Sequence, residues 1–164
     1  MKESKTVSTP VVKMEEDKSK LLPGNEKYME AVGSLIYIAT CTRPDISFAV
    51  SKVSQKLKNP TEMDWISVKR IMRYLQGTKE LGLIFEKKEG GNILQGWADA
   101  DWAGDDKTRL SRSGYIFKLA NAPISWISKK QSTVALSTAE AEYISGSLAV
   151  QEAIWLNRLL TELG

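Results

Sequence analysis

Apolar residues recur every three or four positions through the first half of the chain, and in short continuous or alternating runs through the second. Tyr28, Val32, Leu35, Ile36 and Ala39 form one stripe, which predicts an amphipathic helix from Glu26. Thr42-Arg43-Pro44-Asp45 reads as a break and a restart, with Pro44 in the first turn of the next helix. Ile46, Val50, Val53 and Leu57 carry the same spacing onward, and that helix is expected to stop before Asn59-Pro60. Thr61 can cap a third helix, because its side-chain oxygen can accept from the N–H groups of the first turn. The predicted buried stripe of this helix is Trp65, Val68, Met72 and Leu75, and Gly77 is expected to close it in the left-handed conformation that glycine adopts without a steric penalty. Ahead of Glu26 the chain mixes charges with Ser, Thr and two prolines and has no sustained period, so residues 1–25 read as an extended or disordered lead-in.

The period then changes. Leu81–Phe85 is apolar and strand-like, and Glu89-Gly90-Gly91-Asn92 is a turn signal. Ile93–Ala98, Gly114–Leu119 and Ile124–Ser128 are three further strand candidates, the last two separated by Ala120-Asn121-Ala122-Pro123. Ser137-Thr138-Ala139-Glu140 has the form of a capping box and opens a long helix running to about Leu163, with Ile144, Leu148, Trp155 and Leu159 marking its apolar face. Helices, then strands, then one helix predict an α+β fold.

Composition narrows the chemistry. The chain has 164 residues with 42% hydrophobic and 26% charged positions, ordinary values for a folded protein. It has no histidine, which excludes imidazole-based metal sites and triads, and one cysteine, Cys41, which excludes an internal disulfide framework. A metal here must be a hard ion held by oxygen. A net charge of +3 is too small to argue for nucleic acid. The longest apolar stretch, Ala31–Thr42, is far short of the roughly 18–20 residues of a membrane span, and the N-terminus has no apolar signal core, so the chain reads as soluble and intracellular.

Three places could carry function. Asp99 and Asp101, in Trp97-Ala98-Asp99-Ala100-Asp101-Trp102-Ala103-Gly104, follow a predicted strand, where a carboxylate can hold Mg²⁺, or are ordinary turn residues. Glu140 and Glu142 stand about 200° apart on a helix, so only one can face inward. Glu140 fits the capping role. Glu142 has small neighbours, Ala139, Ser145, Gly146 and Ala149, which would let the helix approach a sheet and bring Glu142 near a strand-end aspartate; otherwise it is a first-turn acid complementing the helix dipole. Residues 43–79 carry eight Lys/Arg against three Asp/Glu, a local +5, with Lys69, Arg70 and Arg73 expected on the solvent side of the third helix. This face could track phosphates or be merely solvated.

The segments Gly33-Ser-Leu-Ile-Tyr-Ile, Thr42-Arg-Pro-Asp-Ile-Ser-Phe-Ala-Val, Lys69-Arg-Ile-Met-Arg-Tyr-Leu-Gln-Gly-Thr, Ala98-Asp-Ala-Asp-Trp-Ala-Gly-Asp, Ser113-Gly-Tyr, Ile124-Ser-Trp and Ser137-Thr-Ala-Glu-Ala-Glu-Tyr resemble, in order and spacing, the C-terminal part of the Pol polyprotein of copia-type LTR retrotransposons. Val7-Ser-Thr-Pro resembles that family's segment just after the polymerase palm.

The resemblance implies a helical thumb/connection-like region at residues 26–80, which in the family grips template–primer duplex. It implies that residues 81–164 are the first half of a ribonuclease H-like domain, a family that cuts RNA in RNA–DNA hybrids with two Mg²⁺ ions held by four carboxylates. Carried over by position, Asp99 is the first acid and Glu142 the second, as catalytic and metal-binding residues, and Asp101 is not a ligand. One ion would activate water and the other would stabilise the leaving oxygen. Lys69, Arg70 and Arg73 would contact nucleic acid, and the remainder of the Pol polyprotein would be the protein partner, in the cytoplasm within virus-like particles and in the nucleus. The family's third and fourth acids and its polymerase aspartates have no counterpart here, and Arg112 stands where a small hydroxyl residue is usual. On this reading the chain alone is expected to be inactive, the outer edge of its first nuclease strand unpaired, and Trp155 and the leucines of the long helix partly wet.

Overall fold

The computed structural model describes residues 4–12, 19–86, 93–105 and 108–163. The chain forms two compact units, residues 1–82 and 83–164. The class is α+β: among the described residues there are four α-helices and a three-stranded antiparallel sheet, with the longest helix last.

In the first unit α1 (Glu26–Cys41), α2 (Ser47–Ser54) and α3 (Glu62–Gly77) pack around one core. Tyr28, Val32, Leu35 and Ala39 of α1 meet Ala49, Val50 and Val53 of α2 and Val68 and Ile71 of α3, with Ile46 between them. Ile36, placed on the buried stripe by its spacing, is 39% exposed. Ile71, absent from the sequence-derived stripe of α3, is fully buried instead. Tyr28 Oη donates to the Val53 carbonyl at 2.8 Å, so this hydroxyl is paired where the ring enters the core.

The break between α1 and α2 forms as its sequence predicts. Pro44–Ile46 is a 3₁₀ turn with proline in its first positions. Arg43, 7% exposed, holds the turn against the end of α3. Its guanidinium donates to both Asp45 carboxylate oxygens (2.9 and 2.7 Å), to the Thr78 carbonyl (2.9 Å) and to Thr78 Oγ1 (2.7 Å). Tyr74 Oη donates to the same carboxylate at 2.8 Å. Burial works against the Asp45 charge, but the hydrogen bonds from Arg43 and Tyr74 outweigh it and keep the carboxyl below its ordinary range. Arg43 therefore counts towards the local positive charge but is committed to the fold.

Thr61 opens α3 with a full capping box: its Oγ1 accepts from Asp64 N–H at 3.2 Å, and its own N–H donates to Asp64 Oδ2 at 2.9 Å. The other end departs from expectation. Gly77 is the last helical residue, and Thr78 caps the helix at φ −127°, so no left-handed glycine closes it. Gly77 is needed for another reason, since a Cβ there would stand 2.9 Å from Thr6 Cβ. The lead-in is likewise docked where it is described. Leu22 N–H donates to Pro60 O, Glu62 N–H to Lys20 O, and Met63 N–H to Ser19 Oγ.

In the second unit the strand order is β1 (Gln95–Asp101), β2 (Arg112–Leu119), β3 (Ala122–Lys130). β1 runs three residues beyond the predicted strand, so Asp99 lies inside the strand and not at its end. Ala120 and Asn121 both take positive φ (50° and 66°), the twist that a two-residue hairpin connection needs. Leu81–Phe85 is not a strand. Leu81, Ile84 and Phe85 are all more than half exposed, and the next residue, Glu86, donates its N–H to the Ala120 carbonyl at 2.9 Å. The predicted turn at 89–92 lies outside the described residues.

α4 (Thr138–Leu163) covers β1 and β2. It seats itself with Ala141, Ser145, Ala149 and Leu156, which are buried, and not with the large residues of its predicted apolar face. Trp155 is 56% exposed, and Ile154, Val150 and Leu159 are also open. Small side chains at four-residue spacing let the helix axis approach the sheet, and closeness rather than bulk selects the buried face. Phe117, Ala149 and Leu156 form the small core of this unit.

Candidate carboxylate site

The candidate site lies where the first half of α4 meets β1. Ser137 Oγ caps α4 by accepting from Glu140 N–H at 3.1 Å, while Glu140 Oε2 accepts from Leu136 N–H at 2.6 Å, one residue further back than a capping box reaches. Gln131, 6% exposed, donates through Nε2 to Ser113 Oγ (2.9 Å) and to the Ala141 carbonyl (3.0 Å), tying the first turn of α4 to β2.

Those anchors put α4 on one peptide of β1. Ser145 Oγ donates to the Asp99 carbonyl at 2.6 Å and contacts the Gly114 carbonyl at 3.2 Å. Glu142 Oε1 accepts from Ala100 N–H at 3.3 Å. The carbonyl of Asp99 and the N–H of Ala100 belong to the same peptide unit and point opposite ways, so α4 holds both ends of it. Asp99 pairs across the ladder with Gly114, the small residue in β2. The Asp99 and Glu142 side chains are exposed. The Glu142 carboxylate thus sits on the peptide that follows Asp99.

Asp101 is separate from them. Its carboxylate folds over the following turn, where a Cβ at Gly104 would run into it. The turn is held by Ala103, at φ 51°, whose N–H donates to the buried Ser111 Oγ at 3.1 Å. Trp102 Nε1 donates to the Ala135 carbonyl at 3.1 Å, so this tryptophan pins the loop before α4. Arg112, opposite Asp101 in the ladder and 8% exposed, is pulled below its ordinary pKa by burial, with Asp101 and Asp105 opposing that shift.

Asp105 closes the same end of the sheet. Lys130 Nζ donates to Asp105 Oδ2 at 2.7 Å, and the Thr108 N–H and hydroxyl both donate to Oδ1 at 2.8 Å. Burial disfavours the charge, but these donors outweigh it and hold the carboxyl well below the usual carboxylate range. A carboxyl with a depressed folded pKa stabilises above its unfolded value, about 4, and loses that contribution as pH falls through the folded value. Asp105→Asn is therefore expected to be less stable than wild type at pH 7 and to lose less on acidification below pH 4, as urea melts of both at pH 7 and pH 3 would show.

The carboxylates fit Mg²⁺ in kind, since both offer hard oxygen donors. They do not fit it in number: among the described residues no group of three or more His, Cys, Asp or Glu could hold a metal ion. The basic face of α3 is also not laid out as predicted. Lys69 is exposed, with Nζ 5.5 Å from the Trp65 ring centroid. Arg70 and Arg73 are half-buried, and Arg70 Nη2 donates to Thr9 Oγ1 at 2.9 Å. Ser145 and Gln131 are the positioning residues that sequence reasoning missed. Ser145 carried a signal only as a small neighbour of Glu142, and Gln131 carried none.

No helix among the described residues is long and apolar enough to cross a membrane. No protein-family model and no solved structure matches the chain. Curated proteins do match. The chain is 47% identical, over its whole length, to a retrovirus-related Pol polyprotein from transposon TNT 1-94 of Nicotiana tabacum, covering 13% of that protein. It is 45% identical over 164 residues to the corresponding polyprotein from transposon RE2 of Arabidopsis thaliana, covering 11% of it. It is also 49% identical over 132 residues to secreted RxLR effector protein 161 of Plasmopara viticola, covering 80% of this chain and 92% of that protein. The chain thus spans about an eighth or less of the two polyproteins it matches. Its relatives thus include retrovirus-related Pol polyproteins of plant transposons, and the match supports a fragment of such a polyprotein, in line with the copia-type resemblance.

Proposed function

We propose that this chain is the stretch of a copia-type Pol polyprotein that links a duplex-gripping helical unit to the opening half of a ribonuclease H centre. Asp99 and Glu142 are its first two carboxylates. The observation that supports the reading most is the hold of α4 on the Asp99–Ala100 peptide, which joins two motifs 42 residues apart in sequence. In the complete centre, Mg²⁺ would supply charge neutralisation and water activation. This chain's share is positional: Ser145 fixes the backbone that carries Asp99, and Gln131 fixes the helix turn that carries Glu142. Two carboxylates neutralise half the charge of two such ions, so the chain by itself cleaves nothing. Incubation with a 5′-labelled RNA–DNA hybrid and Mg²⁺ should leave the hybrid intact. Robust cleavage that disappears in Asp99→Asn would overturn the claim of inactivity.

The helical unit supplies duplex affinity without chemistry. Lys69→Glu with Arg73→Glu reverses two charges on α3, and it should weaken hybrid binding by tenfold or more at low salt and flatten the dependence on log[salt] by about 2. Unchanged affinity in a fluorescence anisotropy titration would remove α3 from the duplex interface.

A further inference from the structure

The N-terminal segment makes a contact with α3 that neither the helix pattern nor the Pol reading uses. Residues 6–9 run along the face of α3 that carries Arg70, Arg73 and Gly77, positions three and seven residues apart and so on one side of the helix. Thr6 lies over Gly77, and Thr9 Oγ1 accepts from Arg70 Nη2. Val11 packs against the core of the unit. Thr9 is itself exposed, in irregular chain, and is followed by Pro10. On the helix, Arg70 Nε and Arg73 Nε are buried and have no hydrogen-bond partner among the described residues. Folded proteins seldom leave such donors unsatisfied, and two guanidiniums with spare N–H groups form the kind of cluster that takes a phosphate.

We propose that Thr9 is a phosphorylation site whose phosphate is held by Arg70 and Arg73, latching the N-terminal segment onto α3. The donor is a nucleoside triphosphate and the catalyst a proline-directed protein kinase, which takes a hydroxyl followed by proline in an accessible segment. Thr9 Oγ1 forms the new bond to the γ-phosphorus, and the bond from that phosphorus to the β,γ-bridging oxygen breaks. The hydroxyl proton passes to the kinase's base, and nucleoside diphosphate leaves. The product brings a charge of roughly −1.5 to −2 and three acceptor oxygens to donors that lack acceptors. Ser8 has neither the arginine contact nor a following proline. One consequence rests on the duplex-binding reading above: the latched phosphate would neutralise the cations that a nucleic-acid backbone would use.

The test is to treat the full chain with a proline-directed kinase and Mg-ATP, locate the phosphate by mass spectrometry, and titrate it by ³¹P NMR. The expected result is modification at Thr9, with a second phosphate pKa at least about half a unit below that of the same phosphothreonine in a free peptide of residues 4–12. The value should return to that of the peptide in Arg70→Gln/Arg73→Gln. Comparison with the peptide needs no substitution, so a folding defect in the variant leaves the test intact. A chain left unmodified at Thr9, or one whose phosphate titrates as in the peptide, would overturn the proposal. Anisotropy with a labelled RNA–DNA hybrid separates the two readings. The phosphorylated chain should bind about tenfold more weakly, and a shifted phosphate pKa with unchanged hybrid affinity would uphold the latch and refute the duplex face.

Discussion

Ser145→Leu is expected to unfold much of the second unit at temperatures where the wild type is intact. Ser145 is 1% exposed, and its Oγ stands 2.6 Å from the Asp99 carbonyl, so a leucine there has no room until α4 moves off β1. Overpacking of this kind costs about 1–3 kcal/mol. Losing the hydroxyl's hydrogen bond to the Asp99 carbonyl costs about 1 kcal/mol more. A total near 3 kcal/mol or more lowers the midpoint of a unit this size by more than about 10 °C. Ser145→Ala keeps the close approach and removes only the hydroxyl, so it should lose about 1–2 kcal/mol. Tryptophan fluorescence reads this unit selectively, because Trp97, Trp102, Trp126 and Trp155 lie in it and Trp65 alone lies in the other. A leucine variant as stable as wild type would mean that α4 is not seated on the Asp99–Ala100 peptide.

The second large effect is expected from Arg43→Ala in the helical unit. The substitution strips Asp45 of its two guanidinium bonds and Thr78 of its donors, leaving Tyr74 Oη as a remaining partner of a partly buried charge. Breaking such a pair from one side costs on the order of 3 kcal/mol. The sign of the pH dependence is diagnostic. In the wild type the Asp45 carboxyl is held low and its contribution is lost as pH falls below about 4. Without Arg43, burial dominates and favours the protonated form, so the gap between variant and wild type should narrow on acidification. Arg43→Lys, which keeps the charge but not the fork, should recover only part of the loss. Urea melts followed by far-ultraviolet circular dichroism at pH 7 and pH 3 would check both points.

The three helices of the first unit were legible because each carries a continuous three-four stripe of large apolar residues and a recognisable start. Thr61 and Pro44 sit where capping chemistry requires. The face of α4 was not legible in the same way. A reading by hydrophobicity selects Ile144, Leu148, Trp155 and Leu159, whereas the helix lies down on Ala141, Ser145 and Ala149, residues too small to register as a stripe. The docking of the lead-in is not legible for a related reason, since composition cannot show backbone pairing such as Glu62 N–H to Lys20 O. Leu81–Phe85 has strand-like residues but no neighbouring ladder among the described residues, and tertiary pairing rather than propensity decides a strand. At the candidate site, the motifs single out Asp99 and Glu142, whereas Ser145 and Gln131, which hold the backbone beside them, stand in no motif, because a serine or glutamine bonded to a backbone carbonyl leaves no pattern along the chain.

The free edge of β1 follows the same logic. With the order β1-β2-β3, one side of β1 is unpaired among the described residues, and Trp97 on it is 51% exposed. The central claim is that Asp99 and Glu142 are this chain's share of a larger carboxylate centre. Its most direct test is Mg²⁺-dependent hybrid cleavage by two proteins: the chain alone, and the chain extended at Gly164 with the segment that follows the matched region in the tobacco TNT 1-94 polyprotein. The chain alone should give no cleavage, and the extended chain should give cleavage that Asp99→Asn or Glu142→Gln abolishes. Cleavage by the extended chain that survives both substitutions would contradict the central claim.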